Sequence, residues 1–128
     1  LVPGIHGYDA NIKWLTSVEV TRFSEAIDYA ERKGWPRRSS RMTPNARIDV
    51  PSHSGLLAPS RQIIAGVAWS PPHGVVKVEL RVDGGSWRDC ALAAALGPNA
   101  WVQWQAAWDA TPGRHTIEVR AWGRDGVQ

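Results

Sequence analysis

The sequence has one cysteine, one methionine and one phenylalanine in 128 residues. A lone cysteine, Cys90, excludes an internal disulfide. It sits beside Ala91 and Leu92 on an alternating segment, where a small buried hydrophobe is the ordinary outcome. A nucleophile needs an electropositive, partly open setting, and its neighbours supply none. The four histidines, His6, His53, His73 and His115, are scattered, mostly in turn segments. None belongs to an HExxH pattern, and Cys90 has no partner at ligand spacing, so no metal set is legible. Gly4 and Gly7 do not lie between a strand and a helix, so they make no phosphate loop. Ser52-His53-Ser54 puts a hydroxyl beside an imidazole. Adjacent residues on a Pro/Gly loop rarely form a nucleophile and its base, which separate elements usually supply. The longest uncharged stretch starts at Cys90 and is broken by Gly97, Pro98, Asn99, Gln103 and Gln105, which excludes a spanning helix. Charge is nearly balanced, with 15 Lys and Arg against 12 Asp and Glu. Arg32, Lys33, Arg37, Arg38 and Arg41 hold much of the excess, and elsewhere both signs mix. Nucleic acid is therefore not expected as a partner. Spacing alone describes a binding or interaction module rather than a catalyst.

Tryptophan, by contrast, is abundant. Trp14, Trp35, Trp69, Trp87, Trp101, Trp104, Trp108 and Trp122 make eight. Indoles serve cores, interfaces and ligand platforms alike. Eight exceed what a core of this size needs, so at least two should face a surface that meets something else. Trp69, Trp87 and Trp101 are the interface candidates.

Alternation organises the second half of the chain. Val76, Val78, Leu80 and Val82 alternate with Lys77, Glu79, Arg81 and Asp83, the pattern of a strand with one buried and one wet face. Asp83-Gly84-Gly85 then offers the positive φ angles of a tight hairpin. Strands are expected near 47–50, 61–69, 75–83, 86–92, 100–108 and 114–122. Pro71-Pro72-His73-Gly74, Gly97-Pro98-Asn99 and Thr111-Pro112-Gly113 mark turns between them. Val102, Trp104, Ala106 and Trp108 share one face, and Trp101, Gln103 and Gln105 the other. Short strands at this spacing predict an all-β, antiparallel, immunoglobulin-like sandwich. Ahead of it, Ile12–Thr21 alternates imperfectly as a short strand. Phe23, Ala26, Ile27 and Ala30 fall at helical spacing, with Ser24 as N-cap and Gly34 as stop. The expected divisions are 1–21, a basic linker with a short helix over 22–46, and the sandwich over 47–128.

Several motifs, in order, resemble the sulfite oxidase-type molybdopterin oxidoreductases. Leu1-Val2-Pro3-Gly4, Ile12-Lys13-Trp14-Leu15 and Val18-Glu19-Val20 resemble the end of that family's molybdopterin domain. Gly34-Trp35-Pro36 and Arg47-Ile48-Asp49-Val50-Pro51 resemble the linker of bacterial members. Gly66-Val67-Ala68-Trp69, Val78 to Trp87, Trp101-Val102-Gln103-Trp104, Pro112-Gly113-Arg114-His115 and Val119-Arg120-Ala121 resemble the C-terminal dimerisation domain. The resemblance implies an Ig-like domain of the E-set kind that pairs two subunits of a longer parent. The partners it implies are a second parent subunit and the parent's own molybdopterin domain. It implies molybdopterin and molybdenum in the parent, and no cofactor in residues 1–128. Lys13 matches a lysine near the pterin phosphate, a role suited to a compact cation. The family's molybdenum-ligating cysteine lies upstream of these residues, and Cys90 is not its counterpart. Relatives that oxidise sulfite often carry an arginine where Val102 stands, which leaves the parent's substrate open. Relatives also continue into one more strand, so the sandwich is expected to show an open edge. A bacterial parent, exported or membrane-associated, fits the linker, although no residue fixes the compartment. The competing reading is a carbohydrate- or peptide-binding module with Trp101, Trp104 and Trp108 as its platform.

Overall fold

A computed structural model describes residues 14–22, 24, 33–34, 42–52 and 56–128. It divides the chain into two compact units, Leu1–Met42 and Thr43–Gln128. In the first, Trp14, Leu15, Val18 and Val20 are exposed, and residues 15–22 form no strand. The imperfect alternation over 12–21 therefore does not become a strand where it is described. A strand needs a paired neighbour to satisfy its backbone, and no strand pairing falls on 15–22. The helix expected after Ser24 falls mainly outside the described residues, as does Lys13.

The second unit holds seven strands: β1 (Asn45–Val50), β2 (Arg61–Trp69), β3 (Val75–Val82), β4 (Arg88–Asp89), β5 (Ala91–Leu92), β6 (Val102–Asp109) and β7 (Ile117–Gly123). One sheet has the order β1-β2-β6-β5 and the other β4-β3-β7, and all pairs are antiparallel. Lettered by chain order, these are the A-B-E-D and C′-C-F arrangements of an immunoglobulin-like sandwich. Among the described residues β7 pairs with β3 alone. The segment expected as one strand over 86–92 is two short pieces. Cys90 separates them as the chain crosses from one sheet to the other, and its N–H donates to the Val78 carbonyl at 2.9 Å.

Alternation places the core. Ile64, Ala68, Val78, Leu80, Val102, Trp104 and Ala121 are buried between the sheets. Burying a side chain such as Ile64 or Leu80 contributes about 2 kcal/mol. Trp104 is the largest of them, and its Nε1 finds no acceptor. Gly66 is its register partner on β2. A Cβ on Gly66 would overlap the Arg47 carbonyl and come within 3.0 Å of Trp104 Cζ2. The missing side chain is what lets the indole lie flat across β2. After β3, Asp83 (φ 53°) and Gly84 (φ 68°) are both left-handed. Gly85 N–H closes the turn on the Val82 carbonyl at 2.9 Å. This is the I′ geometry that suits the right-handed twist of a hairpin.

Candidate interaction surfaces

The outer face of the three-stranded sheet is a lattice of paired charges under two indoles. Glu79, expected on the wet face, is only 6% exposed. Its Oε1 lies 2.8 Å from Lys77 Nζ. Its Oε2 accepts from Arg120 Nε and Trp122 Nε1, both at 2.7 Å. These donors, Lys77 foremost, hold its carboxyl down at about 2 despite burial. Alternation put Glu79 on the outer side correctly. The side chains of Lys77, Arg120 and Trp122 then close over it. Arg81 meets Glu118 through two hydrogen bonds, at 2.7 and 2.6 Å. Trp87 lies on this same face, with the Arg81 and Arg120 guanidinium carbons 4.6 and 4.2 Å from its ring centre. Indole faces attract such cations.

The outer face of the four-stranded sheet has another character. Trp69 ends β2 and Trp101 precedes β6. Their rings stack with centres 5.2 Å apart and planes 22° from parallel. Trp101 is 57% exposed. The Arg47 guanidinium lies 5.7 Å from the Trp101 ring centre. It also donates to both Asp49 carboxylate oxygens, at 2.6 and 3.3 Å. Beside this pair lies a hollow of about 480 Å³, bordered by Ala65, Val67, Ala91, Ala93, Gln103 and Gln105 among others. The interface candidates thus divide. Trp69 and Trp101 sit together, and Trp87 is on the opposite sheet. Arg47 was not singled out from the sequence, although Asn45, Arg47 and Asp49 alternate on β1 and an i, i+2 charge pair on a strand shares one face.

At one end of the sandwich, His115 joins two turns. Its Nδ1 is 2.7 Å from Asp83 Oδ2, and its Nε2 is 2.9 Å from the Thr111 carbonyl. Asp83 Oδ1 accepts from the Thr116 N–H at 2.8 Å, and Trp108 meets the His115 ring edge-on at 5.0 Å. The Asp83 bond and the Thr111 carbonyl raise the imidazole above its ordinary value. His115 also keeps the Asp83 carboxyl below its own.

The remaining candidates are Ser52, His53 and Cys90. Ser52 is exposed, and His53 lies outside the described residues. Cys90 is partly buried among core side chains, and burial pushes its thiol up to about 11. No group of three His, Cys, Asp or Glu suited to a metal occurs among the described residues. Trp104 is buried and Trp108 packs on the core, so the three-indole platform for a sugar or peptide does not form.

Fold and surfaces together define an immunoglobulin-like β-sandwich with one charge-latticed outer face and one whose central positions are uncharged. No protein-family model and no curated protein matches the chain. Among solved structures it is similar to the sulfane dehydrogenase SoxCD from Paracoccus pantotrophus, with a TM-score of 0.61 and 22% identity. The likeness covers 69% of this chain and 23% of that one. At that identity the likeness establishes the fold, and the chain spans under a quarter of its neighbour.

Proposed function

We propose that this chain is the non-catalytic pairing domain of a molybdopterin-dependent oxidoreductase of the sulfite oxidase type, joined to the end of the cofactor domain. The observation that carries the reading is a fold likeness to a sulfane dehydrogenase in a chain whose motifs already resemble sulfite oxidase-type enzymes, in the same order. One line of support rests on residues and the other on strand arrangement. Under this reading the parent acts on a small sulfur compound or related oxyanion. Redox chemistry belongs to molybdenum and its pterin in the preceding domain. The described residues give that group no donor set, and Cys90 is a packed thiol rather than a ligand. Lys13 would approach the pterin phosphate. The sandwich would hold two parent subunits together.

Light scattering of the chromatographed parent polypeptide at micromolar concentration, with molybdenum analysis of the same sample, tests this. The expected result is a dimer carrying one molybdenum per subunit. A strictly monomeric parent removes the pairing role, and a parent without molybdenum removes the family assignment.

A further inference from the structure

We infer that the outer face of the four-stranded sheet is where a second copy of this chain docks, with Trp101 of each copy entering the hollow of the other. The inference rests on the pairing role proposed above and names its surface.

Three features of this face favour a second copy. The first is charge. A two-fold axis brings like groups together, so a self-pairing face must avoid unbalanced charge. Here Arg47 is neutralised by Asp49, and at the other end Arg61 stands opposite Asp109 in register. Between them the outward positions Ile63, Ala65, Val67, Gln103, Gln105 and Ala107 carry none. The opposite face buries its polar groups in its own lattice and leaves little to offer a mate. The second feature is relief. A projecting indole, stiffened by its stack on Trp69, stands at one end of β6, and the same sheet carries a hollow of about 480 Å³ lined by Ala65, Val67, Ala91 and Ala93 together with Gln103, Gln105 and the Arg47-paired Asp49. One face thus carries both a knob and a hole, as isologous pairing requires. The third is hydrogen-bonding capacity. Gln103 and Gln105 are exposed, and an amide both donates and accepts, so either glutamine can bond a glutamine of the second copy. Strands of six, nine, eight and two residues project on the order of 400 Å². This is about half of the roughly 800 Å² per partner of an ordinary interface, so the face suits a weak, concentration-dependent pair.

The test is sedimentation of the full chain and three variants across a range of concentrations and salt. Circular dichroism confirms folding, since Gln103, Trp101 and Glu118 all lie outside the core. The wild-type chain should dimerise, with little dependence on sodium chloride. Gln103→Arg sets like charges against each other at the interface and should raise the Kd roughly tenfold or more. Trp101→Ala, which removes the knob, should do likewise. Glu118→Gln, on the opposite face, should leave the Kd unchanged. A wild-type dimer that persists in both Gln103→Arg and Trp101→Ala overturns the face while leaving pairing intact. Strong weakening by salt, or loss of the dimer in Glu118→Gln, overturns it in favour of the charged face. A chain monomeric at every concentration removes the pairing role and this face with it.

Discussion

On the three-stranded sheet, Lys77, Glu79, Arg81, Glu118 and Arg120 all answer one another across β3 and β7. On the four-stranded sheet the central outward positions hold alanine, valine and glutamine. The same period-two rule built both. The three-stranded sheet has only three strands to shield its backbone, and one of those is two residues long. Its outer side is covered by its own side chains, with Trp87 and Trp122 lying over the ions. The four-stranded sheet is fixed from within, by Trp104 lying against Gly66, and leaves its outer side bare. One sheet is therefore locked from outside and the other from inside. Substitutions that reach each lock separately test that contrast.

The largest effect belongs to the inner lock. Gly66→Val forces a side chain into the Arg47 carbonyl and the Trp104 ring, neither of which can swing away. Overpacking against backbone should cost about 3 kcal/mol or more. Gly97 has open space around it, and Gly97→Ala should change stability by no more than about 0.5 kcal/mol. Urea denaturation of the two variants reads the difference directly. Equal midpoints would mean that Trp104 does not lock the four-stranded sheet.

Next is the outer lock. Glu79→Gln keeps the shape but removes the charge that three donors share, and should cost about 2 kcal/mol. The pH dependence has a definite sign. Folding holds the carboxyl at about 2, below its ordinary 4.5. Its contribution is therefore present above the ordinary value and lost as pH falls from there towards 2. The wild-type chain should lose stability over that acid interval, and Glu79→Gln should lose less. Identical acid limbs in both would show that the lattice is ornamental to folding.

The sequence made most of this sandwich legible, because alternation and turn chemistry are local. β2 is the strand expected over 61–69, and Trp101, Gln103 and Gln105 face outward as their alternation implied. What was not legible came from partners distant in sequence. Glu79 reads as solvated on its own strand and is buried only because Arg120 and Trp122 arrive from β7, 41 and 43 residues away. Trp87 went to the other face from Trp69 and Trp101, since nothing local says which sheet a hairpin arm joins. Over 15–21 the alternation misled, because it states a preference for strand and does not by itself pair one.

A smaller effect is expected at the end of the sandwich. The His115 ring nitrogens face two acceptors, Asp83 Oδ2 and the Thr111 carbonyl; the imidazolium donates to both, whereas the neutral ring donates to one and can only accept from the Thr111 hydroxyl, 3.3 Å away, at the other. Trp108 adds a ring edge and no charge. Folding thus raises the imidazole above 6.5. The stabilisation is complete below the ordinary value and fades as pH rises through the folded one. Nuclear magnetic resonance titration should place the His115 midpoint above 6.5, and His115→Gln should flatten the neutral-to-alkaline fall in melting temperature. A midpoint at or below the ordinary value would mean that the ring is held as neutral imidazole.

The smallest effect sharpens the contrast most. Gln105 is exposed on β6; its backbone pairs with Ala65 and Ala91, and its side chain makes no hydrogen bond to another described residue. Gln105→Ala should therefore change the folding of the dilute, monomeric chain by no more than about 0.5 kcal/mol. That is far below the cost at Glu79, although both positions point outward from a sheet centre. A residue that folding does not need and that sits among the uncharged central positions of an uncovered face is free to serve association alone. The same variant, concentrated, should dimerise more weakly than wild type. A folding cost equal to that of Glu79→Gln would erase the difference between the two outer faces, because Gln105 would then be part of a lock as well.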